Sequence, residues 1–130
     1  MRRLVIAIVL GAAAVAGAQP KPCELESVWF DYDEAKLRPD AQESLKRSAA
    51  CIGTRAGKVR IEGHTDEKKT PEYSMALGQR QAAAVKRYLV SLGVAEDRLI
   101  TISYGRERPL CTEHTEACRA KNRRAELRFE

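Results

Sequence analysis

The densest run of groups able to do chemistry is Gly63-His64-Thr65-Asp66, an imidazole, a hydroxyl and a carboxylate on three consecutive residues. Before it, Val59, Ile61 and Gly63 alternate with Arg60 and Glu62, the period of a half-buried strand. After it comes Thr70-Pro71-Glu72, a helix start with Thr at the N-cap, Pro at the first helical position and an acid in the first turn. A polar turn between the carboxyl end of a strand and the amino end of a helix is a favoured place for a ligand in an α/β sheet. From position alone, Asp66 reads either as a ligand contact or as an Asx-type cap of its own turn.

Covalent and metal chemistry have little support. The chain has two histidines, His64 and His114, and neither belongs to a His-x-x-x-His pair that would set two imidazoles on one helix face. No Gly-x-Ser-x-Gly elbow and no Cys/His nucleophile arrangement occurs. We therefore expect a protein that binds rather than catalyses, with no cofactor and no metal.

The first 18 residues read as a secretory leader. Arg2 and Arg3 form the basic start, residues 4–15 the apolar stretch, and Ala16-Gly17-Ala18 a small-residue cleavage site. The stretch is too short to cross a bilayer, which takes about 20 residues. Two of the 23 basic residues lie in this leader, so 21 remain against 18 acids, a net charge of +3. That charge is spread out with no Lys/Arg block, which argues against nucleic acid. Four cysteines in an exported chain favour disulfides. Three connectivities are possible. Cys111 and Cys118 bracket one short loop and are paired on that ground, which leaves Cys23 with Cys51. A zinc site is disfavoured, because no Cys-x-x-Cys is present.

The elements that must position the central turn follow from periodicity. Val28, Phe30 and Tyr32 alternate with Trp29 and Asp31 and predict a first strand over 28–32. Phe30 and Tyr32 then face the core, and Asp31 points the other way, able to border a site at the strand end. Pro39 opens a helix with Ala41, Leu45, Ala49 and Ile52 as its buried stripe, stopped at Gly53. A second helix starts at Thr70 and stops at Gly93, with Leu77, Ala84, Val85, Tyr88, Leu89 and Leu92 at helical spacing. A third strand covers 99–104, a polar loop 106–119, and a last strand 124–129. The order β-α-β-α-β-β predicts an α/β chain of the two-layer α+β sandwich type, one mixed sheet with both helices on a single face.

Five motifs stand in order along the chain: Trp29-Phe30-Asp31-Tyr32-Asp33, Glu62-Gly63-His64-Thr65-Asp66, Thr70-Pro71-Glu72-Tyr73, Ser103-Tyr104-Gly105-Arg106-Glu107-Arg108-Pro109 and Lys121-Asn122-Arg123-Arg124-Ala125. Together they resemble the OmpA-like peptidoglycan-binding domain, most closely its peptidoglycan-associated lipoprotein branch, over residues 25–130, behind a short lead-in at 19–24. The resemblance implies the same sandwich. It also implies non-covalent recognition of diaminopimelate in a peptidoglycan stem peptide, anchoring the outer membrane or periplasm to the wall.

By this resemblance Asp66, in the turn with His64 and Thr65, holds the amine of diaminopimelate. The Asn122-Arg123-Arg124 segment shapes the same pocket. A zwitterionic ligand needs one fixed anion and one fixed cation, and Arg is the better fork for a carboxylate. The family's Arg fifteen positions after Asp66 is Gln81 here, its Asn is Ser74, and its turn Gly is Lys69. Arg80 neighbours Gln81 but leaves the helix about 100° away, so it reads either as a substitute cation or as a solvated helix face. Asn122 likewise reads as a ligand contact or as a cap of the loop before it. These departures motivate an alternative function, an envelope protein–protein interaction module with weakened or lost peptidoglycan binding. Branch members carry a lipid on a Cys directly after a small-residue box. Cys23 follows Lys21-Pro22 instead, so the expectation is a periplasmic protein associated with the outer membrane without a lipid or a span, meeting peptidoglycan and other envelope proteins.

Overall fold

A computed structural model describes residues 6–8, 11 and 23–130 of the chain. The expected cleavage point after Ala18, and most of the expected leader and lead-in, lie outside the described residues. The elements are β1 (Val28–Trp29), α1 (Pro39–Ile52), β2 (Val59–His64), α2 (Pro71–Ser91), β3 (Leu99–Gly105), α3 (Glu116–Asn122) and β4 (Arg124–Phe129). They form one sheet in the order β1-β4-β2-β3. β2 and β3 run parallel, and β4 is antiparallel to both β1 and β2. The last strand therefore inserts beside the second, which brings residues around 123 next to those around 65.

α1 and α2 cover one face of the sheet. Leu45 and Ile52 of α1, Ala82, Val85 and Leu89 of α2, and Val59, Ile61, Ala125 and Leu127 of the sheet bury together in a single cluster, the two helical stripes meeting the inward positions of the pleat. Thr70 caps α2 by accepting from the Tyr73 amide at 3.2 Å, and Pro71 stands at its first position. α2 lies very close to β2. A Cβ built on Gly63 would sit 1.9 Å from the Gly78 carbonyl oxygen, and one on Gly78 would sit 2.2 Å from Ser103 Oγ. Only glycine at both points lets helix and strand approach this closely.

The alternation of β2 turns Arg60, Glu62 and His64 to the other face. There Glu62 pairs in register with Glu126, and Arg60 with Arg128, like charges that would destabilise a ladder if left opposed. Neighbouring opposite charges resolve this: Arg128 Nε reaches Glu62 diagonally across the strands at 3.3 Å, and Arg124 Nε meets Glu126 along β4 at 2.8 Å.

Three expectations need correction. The first strand is not 28–32 but only Val28–Trp29, because β4 begins at Arg124 and the chain then turns at Asp33, whose φ is +57°. Phe30 still reaches the core, but Tyr32 is 48 % exposed. The 106–119 loop ends in a helix, α3, whose Thr115 cap accepts from the Cys118 amide at 3.2 Å. The order is thus β-α-β-α-β-α-β. Both expected disulfides are present, Cys23–Cys51 with Cα atoms 5.4 Å apart and Cys111–Cys118 with Cα atoms 5.3 Å apart.

Candidate functional site

A narrow cleft opens where the β2–α2 turn meets the entrance of β4. Thr65 and Asp66 from the turn, Ser74, Leu77 and Gln81 from α2, and Arg123 from the end of α3 line its buried part; Tyr32, Asp33 and Lys69 form the more exposed rim. The open space in the cleft is about 10 Å³, room for one water-sized group.

Asp66 is at the centre of this cleft and 5 % exposed. Its Oδ1 accepts from the Lys68 amide at 3.0 Å, the Asx cap anticipated from its position. Its Oδ2 faces Arg123 Nη1 at 3.3 Å. A carboxylate offers about four acceptor positions, so these two partners leave capacity unused, and the two roles of Asp66 coexist. Arg123 is fixed on three sides: Nε donates to the Phe30 carbonyl at 3.2 Å, and Nη2 reaches Glu116 at 2.7 Å. On the helix wall, Gln81 Nε2 donates to the Glu34 carbonyl at 3.1 Å. Gln81 Oε1 and Ser74 Oγ are buried with no protein partner.

Later parts of the chain hold the turn in place. Arg106 Nη1 donates to the carbonyls of Glu67 and Lys69 at 3.2 and 3.0 Å. The Glu67 carboxylate receives Arg119 Nε at 2.6 Å and faces His114 Nδ1 at 3.2 Å. Burial pushes the Glu67 carboxyl up, but a backbone amide, Arg119 and His114 outweigh it and hold its pKa down at about 2. At the rim, Lys69 Nζ lies 5.8 and 5.3 Å from the Tyr32 and Tyr73 ring centres, within cation–π range. The Tyr73 hydroxyl donates to the Asp33 carboxylate.

Of the expected site residues, the structure brings Thr65, Asp66, Gln81 and Arg123 together and places five elsewhere. His64 belongs to the opposite sheet face, stacked on Tyr104 with ring centres 5.4 Å apart, because a strand turns successive side chains to opposite sides. Arg124 is buried on that same face, bonded to Glu126 and to the carbonyls of Asn122 and Arg108. Asn122 is occupied by the preceding loop: its Oδ1 accepts from the Leu110 and Cys111 amides at 2.8 and 3.1 Å, and its Nδ2 donates to the Cys111 carbonyl at 2.7 Å. Asp31 pairs instead with Arg38 at 3.4 Å, since the early end of β1 hands the rim position to Asp33. Arg80 is solvated, its guanidinium 5.8 Å from the Tyr73 ring. Sequence reasoning missed Asp33, Leu77 and Glu116 as members of the site. Leu77 was visible only as a core position, and Glu116 only as a first-turn acid of an unrecognised helix.

Among the described residues one group could in principle hold a metal: Glu62, His64 and Glu126, with ligand atoms within 4.8 Å of one another. Arg60, Arg124 and Arg128 already lie within 3.4 Å of these carboxylates. Burial, then the nearby Arg124 charge, holds the His64 imidazole below its ordinary pKa. A further cation would face three guanidinium groups, so the cluster is a buried charge network.

The geometry has counterparts among known proteins. Residues 29–123 match the OmpA family model. The chain is 43 % identical over 120 residues to the peptidoglycan-associated lipoprotein of Pseudomonas aeruginosa, covering 90 % of this chain and 71 % of that protein. It is also 43 % identical to the protein of that name in Haemophilus influenzae, covering 92 % of this chain and 76 % of the relative. The crystal structure of the Burkholderia pseudomallei peptidoglycan-associated lipoprotein superposes with a TM-score of 0.77 at 39 % identity, over 80 % of this chain and 89 % of that one. On the extent of the match and the shared sheet, this chain belongs to the OmpA family.

Proposed function

We propose that this protein is a non-catalytic, peptidoglycan-binding protein of the cell envelope, which recognises the diaminopimelate of a stem peptide and so links the periplasmic side of the outer membrane to the wall. The observation that carries the reading is Asp66, a carboxylate with unused acceptor capacity at the floor of a cleft whose opposite wall, Arg123, comes from the far end of the chain. The space beside it suits an ammonium group, which is about the size of a water. The names of the relatives support the wall as the partner. The position of His64 on the other sheet face supports a binding rather than a catalytic role. Cys23 has its sulfur in a disulfide, which leaves that atom unavailable for a lipid. No helix among the described residues is long and apolar enough to cross a membrane.

The test is sedimentation with purified peptidoglycan sacculi, wild type against Asp66→Ala. The wild type is expected to pellet. A lost charge-assisted contact, about 1.5–3 kcal/mol, makes the variant weaker by about ten- to a hundredfold. If the wild type stays in the supernatant, or if both pellet equally, this reading fails and the protein–protein interaction module takes its place.

A further inference from the structure

The cleft sorts the charged groups of a ligand by size. Its open space takes one water-sized group. An ammonium fits that space, with Asp66 in its wall; a carboxylate is too large for it. At an amino-acid terminus both groups sit on one carbon, and the carboxyl carbon lies about 2.5 Å from the nitrogen. With the ammonium on Asp66, the carboxylate is therefore held at the mouth, where Tyr32, Asp33 and Lys69 form the rim.

Two cations line the cleft, Lys69 and Arg123, and they differ in what they already hold. Arg123 keeps two of its five N–H groups, but it is buried and faces two carboxylates, Asp66 at 3.3 Å and Glu116 at 2.7 Å. Its charge is already compensated. Ser74 Oγ can donate as well, but it lies in the buried part, which the carboxylate does not enter. Lys69 has no salt-bridge partner among the described residues; its Nζ stands 5.8 and 5.3 Å from the Tyr32 and Tyr73 ring centres. The ring faces steady the ammonium and leave it N–H donors to turn toward an anion. The Tyr32 phenol, then the Asp33 carboxylate, hold the Lys69 pKa above its ordinary value, so the charge is present at neutral pH. Asp33 itself is engaged by the Tyr73 hydroxyl.

We infer that Lys69 receives the carboxylate of the ligand, so that the site selects a diaminopimelate whose side-chain end carries a free carboxylate beside its ammonium. The inference rests on the peptidoglycan reading above and adds the second charge to it. Asp66 takes the cation inside the cleft, and Lys69 takes the anion at its mouth.

The experiment is calorimetric titration of the full chain with two synthetic stem tripeptides, identical except that the side-chain carboxyl of diaminopimelate is free in one and amidated in the other. The wild type is expected to bind the free carboxylate about five- to tenfold more tightly. Lys69→Met keeps the Lys69 carbonyl that Arg106 holds, and its folding is checked by circular dichroism. It is expected to lose that preference while its affinity for the amidated peptide stays nearly unchanged. Equal affinities in the wild type, or tighter binding of the amidated peptide, overturn the inference and leave the peptidoglycan reading standing. So does an undiminished preference in a folded Lys69→Met, which would assign the carboxylate to Arg123. If neither peptide binds while sacculi still sediment the protein, the cleft is not the peptide site and the inference falls alone. If sacculi fail as well, both readings fall.

Discussion

Arg123 and Asp66 are 57 positions apart in sequence, and their charged groups meet at 3.3 Å in a buried contact. The pair closes the cleft by tying the β2–α2 turn to the entrance of β4. Because Asp66 also caps its own turn through Oδ1, its two oxygens can be separated by mutation. Asp66→Asn keeps an oxygen for the Lys68 amide but turns an NH₂ toward Arg123, and is expected to cost about 1 kcal/mol in urea unfolding while sacculus binding drops about ten- to a hundredfold. Asp66→Ala loses the cap as well, and is expected to cost about 1–3 kcal/mol in urea unfolding.

The contact between Gly63 and Gly78 sets where α2 lies, and with it Ser74, Leu77 and Gln81. Gly63→Ala would place a methyl 1.9 Å from a backbone oxygen, which no rotamer change relieves. The expected destabilisation is about 3 kcal/mol or more, read as a lowered urea midpoint. Binding is lost along with it, because the helix wall of the cleft must shift outward.

Glu67 makes stability depend on acid. Its carboxyl titrates at about 2 in the folded chain against 4.5 ordinarily. A folded pKa held below the unfolded one stabilises at pH values above the unfolded pKa, and the contribution disappears as pH falls through the folded value. Glu67→Gln is therefore expected to be less stable at pH 7, by about 1 kcal/mol given the solvent access of the pair. The gap should narrow from about pH 5 downward and close near pH 2. Urea midpoints of both proteins across that range provide the check.

The two disulfides should separate stability from binding. Cys23–Cys51 closes the longer loop, 28 positions against 7 for Cys111–Cys118. Loop-closure entropy gives about 3.5 and about 2.5 kcal/mol respectively. Replacing Cys23 and Cys51 by Ser is expected to lower the thermal midpoint more, yet leave sacculus affinity nearly unchanged. Replacing Cys111 and Cys118 releases the segment that carries Arg119 and Asn122, and is expected to weaken binding as well.

The strand–turn–helix around Asp66 was legible because its signals are local. The alternation of β2, the Thr70 cap and Pro71 each specify structure within a few residues. The cysteine pairing followed from the closeness of Cys111 and Cys118. The rest depended on contacts that no local pattern encodes. Asp33 replaces Asp31 at the rim because the backbone turns at a residue with positive φ, ahead of where the alternation would have carried it. His64 falls outside the cleft although its neighbours Thr65 and Asp66 lie within it, because the strand ends between them. Asn122 matched a motif, but its oxygen and nitrogen are consumed by the 110–111 backbone, a relationship visible only once the loop is folded. α3 is too short for its periodicity to stand out.

Cys51 lies at the last turn of α1, one residue before the chain leaves toward β2, and its bond to Cys23 gives the molecule a particular response to tension. A pull from the amino-terminal side of Cys23 is shared through the sulfur bridge and delivered to the middle of the sheet instead of peeling away the two-residue edge strand. The 28-residue span between the cysteines, about 100 Å of contour if extended, is shielded from the load. In its oxidised form the protein is thus a short, stiff link, and a reductant would turn it into a longer, softer one.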